Sequence, residues 1–141
     1  LAHFPYWHDA TAWGIASAAH SGLPWLISGT ADEINDAALR TRAAERGGIA
    51  AQLRQATSRL PRVAHAAPDL DAVVFRFTDG RELSAGQRLE MIARHWRTIS
   101  SNYKRRADRQ AGSPAVNPLY RGRAAAFAAK AEENLPTRLQ S

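Results

Sequence analysis

The stretch LSAGQRLEMIARHWRTISSNYKRRADR, from Leu83 to Arg109, constrains the fold more than any other part of the chain. Ala85, Leu89, Ile92, Trp96, Ile99 and Tyr103 recur at spacings of 4, 3, 4, 3 and 4. That rhythm places them on one face of a 3.6-residue-period helix. Ser84 and Gln87 stand three residues apart just before it, in the pattern of a capping box. There the two side chains satisfy each other's orphan N–H groups. The expectation is a helix of about seven turns buried along one side. His95 borders the stripe beside Trp96, and the arginines and lysines fall mostly off it.

A chain of 141 residues is one domain by length and can bury a core of its own. Alanine is abundant and β-branched residues are sparse, which favours helix. With no cysteine, disulfides, thiolate metal sites and a cysteine nucleophile are excluded. This suits a cytoplasmic protein. No apolar run reaches the ~18 residues of a membrane span, so no membrane partner is expected, and no basic leader precedes LAHFPYWHDA. Leu1 is not an initiator, so residues are expected to have stood before it. The net charge of +6 admits an anionic ligand or nucleic acid without selecting either.

Along residues 1–20, His3, Trp7 and Thr11 share a helical face, with Pro5 in or near the first turn. SGLPWLISGT reads as a loop whose Trp25 either lines a pocket or seals the core. Thr30 and Glu33 form a second capping box, opening a short surface helix that Gly47-Gly48 stops. Ile49, Leu53, Ala56 and Leu60 mark a core-facing helix ended by Pro61. Val73–Phe77 looks strand-like before the Asp79-Gly80 turn, with no partner strand evident. Asn117 is read as an N-cap with Pro118 at the first helical position, opening the last helix over 118–136. There is no internal repeat, serine-hydrolase elbow or phosphate-cradling glycine loop.

The succession of LAHFPYWHDATAW, SGLPW, the IND helix with Asn35, LPRVAHAAPDLD and FRFTDGRELSAGQRLEMIARHW resembles the DinB-like superfamily of four-helix bundles. That superfamily includes thiol-dependent maleylpyruvate isomerases, bacillithiol and mycothiol transferases and a colibactin self-resistance hydrolase. The likeness spans roughly residues 1–108. It implies an all-α, four-helix bundle lacking the family's first helix and carrying 118–136 as an added C-terminal helix, in a single domain over 1–141. It also implies a small-molecule enzyme of the transferase, isomerase or hydrolase kind, a homodimer, and a divalent metal, zinc or nickel, on three histidines that activates a low-molecular-weight thiol or water. His3 and His95 stand at two of those positions, as ligands and catalytic residues. Ile99 occupies the third, so the set is incomplete. Trp7, Trp25, Asn35 and Trp96 would line the pocket.

Each of these residues also has a plainer reading. His3 and His95 can be half-buried and bonded to backbone, Trp7 and Trp96 can be core, and Asn35 can be a cap. His8, His20 and His65 are expected to be structural or solvated, His8 to face water. A non-catalytic small-molecule binding protein on the same bundle is the second function considered. The third is a nucleic-acid-binding domain using the cluster Arg94, Arg97, Lys104, Arg105, Arg106, Arg109, Arg121 and Arg123, against which stands only Asp108. A solvated basic face is the plainer account of that cluster.

Overall fold

The computed structural model describes residues 3–43 and 48–139. The elements run α1 (Phe4–Ser21), β1 (Trp25–Ile27), α2 (Ala31–Ala43), α3 (Ile49–Ala66), β2 (Val73–Phe77), β3 (Glu82–Ser84), α4 (Ala85–Arg109) and α5 (Asn117–Glu133), with a final 3-10 turn at Thr137–Leu139. The described chain is mostly helical, as expected, but a small sheet accompanies the helices. Two compact units divide it, Leu1–Arg88 and Leu89–Ser141, and the boundary falls within α4. The proposed stop at Gly47, the start at Leu1 and the side chain of Ile49 lie outside what is described.

In the first unit the strand order is β1-β2-β3. Val73–Phe77 therefore has two partners, where the sequence suggested none. β1 pairs with it in parallel, Trp25 opposite Phe75 and Ile27 opposite Phe77. β3 pairs antiparallel, with an irregularity between Val73 and Phe75. The turn, though not the strand after it, was legible in Asp79-Gly80: Gly80 takes φ 88°, and the Arg81 N–H donates to Asp79 Oδ1 at 3.0 Å. The β1 partner was not legible, because a three-residue strand carries no period of its own and becomes a strand only by pairing. A parallel pairing also needs a long crossover, here through α2 and α3.

α1 lies against α3 and β2. The approach is close at Gly14, where an added Cβ would stand 3.0 Å from the Val74 carbonyl oxygen and 3.0 Å from Phe75 Cε1. α3 does not end at Pro61 but continues to Ala66. Proline removes one helical hydrogen bond; the buried Leu60 and Ala64 hold the turn on either side of it.

Both capping boxes form. Ser84 N–H donates to Gln87 Oε1 at 2.9 Å, and Gln87 N–H to Ser84 Oγ at 3.3 Å. At α2, Thr30 N–H donates to Glu33 Oε2 at 2.7 Å, its hydroxyl donates to the same oxygen, and Glu33 N–H returns to Thr30 Oγ1 at 3.2 Å. These bonds, the backbone one foremost, hold the Glu33 carboxyl below its ordinary 4.5. A carboxylate depressed in the folded state contributes stability that is present above its unfolded pKa and is lost as pH falls through the folded one. The start of α2 should therefore fray as pH falls below the ordinary glutamate range. Cα chemical shifts of residues 31–36 would follow this, and Glu33→Gln, which can still complete the box, should flatten the change.

In the second unit α4 and α5 form an antiparallel helical hairpin. The Trp96 and Phe127 rings stack 5.4 Å apart at 13°. Tyr103 meets Phe127 at 5.3 Å and Tyr120 at 6.0 Å, and Ser100 Oγ donates to the Ala124 carbonyl at 2.8 Å. Asn117 is not the N-cap. Val116 occupies that place, and the Asn117 amide instead donates to the Ala107 carbonyl oxygen at 2.6 Å. The buried Ala107 carbonyl also accepts from the Gln110 N–H at 3.1 Å, so the turn adds Asn117 as its second donor.

Candidate functional site

The first unit gathers a cluster around Trp7. Its indole N–H donates to Asn35 Oδ1 at 2.7 Å, joining α1 to α2, and its ring centroid lies 6.3 Å from that of Phe75 on β2. Arg88 enters the same cluster from the first turn of α4, which the Ser84–Gln87 box sets in place. Its guanidinium carbon stands 5.2 Å from the Trp7 ring and 5.0 Å from the Phe75 ring. Arg88 also donates to Thr11 Oγ1, from Nη2 at 3.2 Å and from Nε at 3.4 Å. The Thr11 hydroxyl in turn donates to the Trp7 carbonyl at 2.7 Å.

Arg88 is 6% exposed, a rare position for a charged side chain. Burial pushes its pKa down to about 10, so it remains a cation at neutral pH. The two ring faces offset part of its desolvation, by about 0.5–2 kcal/mol each. Chemically, the cluster is a desolvated, planar guanidinium fixed beside an indole, with its Nε and Nη2 turned to the Thr11 hydroxyl.

Of the residues singled out by sequence, the structure brings Trp7 and Asn35 together. His3 sits at the N-cap of α1, half-buried, its ring stacked on Phe4 at 5.2 Å. Trp25 lies on β1 and is 42% exposed. His95 and Trp96 belong to the second unit. Trp96 is buried against Phe127, and His95 faces outward on α4, with partial desolvation lowering its pKa. Ile99 is half-buried. Among the described residues no group of three or more His, Cys, Asp or Glu side chains could hold a metal ion. The described residues thus do not make up the three-ligand set of a catalytic zinc or nickel centre.

Two residues were missed. His8, expected in water, is 1% exposed, and its Nδ1 donates to the Phe4 carbonyl at 2.9 Å. The buried face of α1 runs through Phe4, His8, Thr11, Ala12 and Ile15, not through His3 and Trp7. Those positions are helically spaced, but two are polar, and an apolar stripe search passes over them. Arg88 was set aside for the same reason. It stands three residues after Ala85 and four before Ile92, both buried, so the period marked its position while its charge argued against burial.

Comparison of the chain with family models, with curated proteins and with solved structures returns no match. Among the described residues no helix is long and apolar enough to cross a membrane.

Proposed function

We propose that this chain acts on a small molecule, as an enzyme of the DinB-like transferase, isomerase or hydrolase kind, with the Trp7–Asn35–Arg88 cluster as its ligand-recognition site. The buried guanidinium of Arg88 between the Trp7 and Phe75 rings carries this reading, because a desolvated cation is costly to keep and well suited to orient an oxyanion. The ligand class is a small organic carboxylate. Arg88 would anchor the carboxylate, Trp7 would offer a flat apolar wall, and Asn35 would hold the indole in register through its 2.7 Å hydrogen bond.

A second reading, binding without catalysis, is favoured by one observation, the isoleucine at position 99 where the superfamily pattern asks for a ligand. The two readings share a site and differ in whether anything turns over.

Tryptophan fluorescence during titration with a panel of small carboxylates and low-molecular-weight thiols tests both. Arg88→Met keeps the length of the stem and removes the charge, so its stability should stay within about 1 kcal/mol of the parent. Loss of the charged hydrogen bonds should weaken a bound carboxylate by at least ~10-fold. Turnover of the bound compound would support the enzyme, and binding alone the sequestering protein. Failure of every carboxylate to bind, or binding indifferent to Arg88→Met, would remove the site.

A further inference from the structure

The charge of this protein is segregated. Residues 1–88 carry nine Lys or Arg against nine Asp or Glu, whereas residues 89–141 carry ten against four. The whole excess of +6 therefore belongs to the second unit. Three of those cations, with Asp108 beside them, line one side of α4. Arg94, Thr98, Ser101, Arg105 and Arg109 follow one another at spacings of 4, 3, 4 and 4, and all are exposed. They occupy the face opposite Leu89, Ile92, Trp96 and Ala107, which are buried. Among the described residues none of Arg94, Lys104, Arg105, Arg106 and Arg109 has a carboxylate within ion-pair distance, whereas Arg97, nearer the α5 side, is paired with Glu132 at 2.8 Å.

At the middle of the hairpin two further cations converge. The guanidinium carbons of Arg106, from α4, and Arg123, from α5, stand 5.7 and 5.8 Å from the centroid of the same Tyr103 ring. Two like charges drawn to one phenol repel each other across it, and an anion placed between them relieves that repulsion.

We propose that the α4–α5 hairpin is a nucleic-acid-binding surface that grips the phosphodiester backbone of a duplex through Arg94, Arg105 and Arg109, with Arg106 and Arg123 around Tyr103 as a second contact. Helix geometry sets the reach: from Arg94 to Arg109 the stripe extends about 22 Å, matched to a row of backbone phosphates rather than to one small anion. The character of the face selects among polyanions. Every exposed α4 residue from Arg94 to Arg109 is polar or charged. An anionic membrane captures helices that also present an apolar face to the acyl chains, and this stretch presents none. The hydroxyl of Ser101, between the cations, is an ordinary partner of phosphate oxygens.

The test is binding of the full chain to a mixed-sequence DNA duplex, the same duplex as RNA, and vesicles with an anionic lipid fraction, each measured across 50–200 mM salt. Binding to a duplex should weaken steeply with salt, because each neutralised phosphate releases a counterion. Combined Arg94→Ala, Arg105→Ala and Arg109→Ala replacements should shrink the fall in affinity over that salt range by about 40-fold, as expected for three lost contacts at a slope of roughly 0.9 each. The substituted positions are exposed and alanine favours helix, so unchanged helical circular dichroism is the control for folding. Arg97→Ala, which removes an ion-paired arginine, should leave the salt slope unaltered. Preference between the DNA and RNA arms identifies the duplex and supports the proposal either way. Binding to vesicles in place of duplexes, duplex binding with a flat salt response, or a triple variant with the parent's slope would each overturn it.

Discussion

Phe75→Ala is expected to lower stability by about 3–5 kcal/mol, the usual cost of emptying a buried aromatic site. The ring is fully buried on the central strand. It meets Phe77 edge-on at 6.4 Å and Trp7 at 6.3 Å, and Gly14 of α1 is pressed against it. Helix, sheet and the Arg88 guanidinium therefore share this one side chain. Removal leaves a cavity and also strips Arg88 of one of its two ring faces. Urea unfolding should show a lower midpoint with an unchanged slope. Phe75→Leu, which refills most of the volume, should recover more than half of the loss. A cost below about 1.5 kcal/mol for the alanine variant would show that α1 settles onto the sheet without the ring, and would weaken the case for a preformed site at Arg88.

Trp96→Ala should have a comparable effect in the second unit, about 3–5 kcal/mol, by a different route. The α4 backbone loses nothing, since alanine is the better helix former. The loss lies in the stack on Phe127, at 5.4 Å and 13°, and in the burial of an indole that is 2% exposed. Ala131 and Leu135 are buried near that end of α5 as well, while the exposed Arg97–Glu132 pair contributes about 1 kcal/mol at most. Amide hydrogen exchange of residues 124–132 should accelerate strongly while residues 97–107 of α4 remain better protected. Equal loss of protection in both helices would mean that α4 depends on α5 for its own structure. Unchanged exchange in α5 would mean that Tyr103 and the Ser100–Ala124 bond hold the hairpin without the tryptophan. Since Arg106 and Arg123 are brought together only by this hairpin, Trp96→Ala should also weaken duplex binding.

Local order is largely readable in the sequence. The two capping boxes are contacts between residues three apart, and each formed with the partners its sequence names. The stripe from Ala85 to Tyr103 marked the buried side of α4, and its complement marked the basic face. Asp79-Gly80 marked the turn between β2 and β3. In each case the interacting groups are close along the chain, so side-chain type and spacing decide the outcome without reference to anything distant.

The candidate site was readable only in part. Trp7 and Asn35 were singled out, yet nothing local joins them, since one belongs to α1 and the other to α2. Pairing of Trp25–Ile27 with Val73–Phe77 was invisible for the same reason, because a short strand exists only beside its neighbour. His8 and Arg88 were lost because a polar side chain is ordinarily worth more in water than in a core. Only tertiary structure supplies what reverses that balance: a carbonyl four residues back turned inward with His8, and two rings and a threonine hydroxyl around Arg88. By itself the sequence determined most of each helix, the two capping boxes and the basic stripe of α4, through forces that act within a turn or two. Tertiary structure alone decided which polar groups leave water, because that depends on partners brought from other elements to satisfy them.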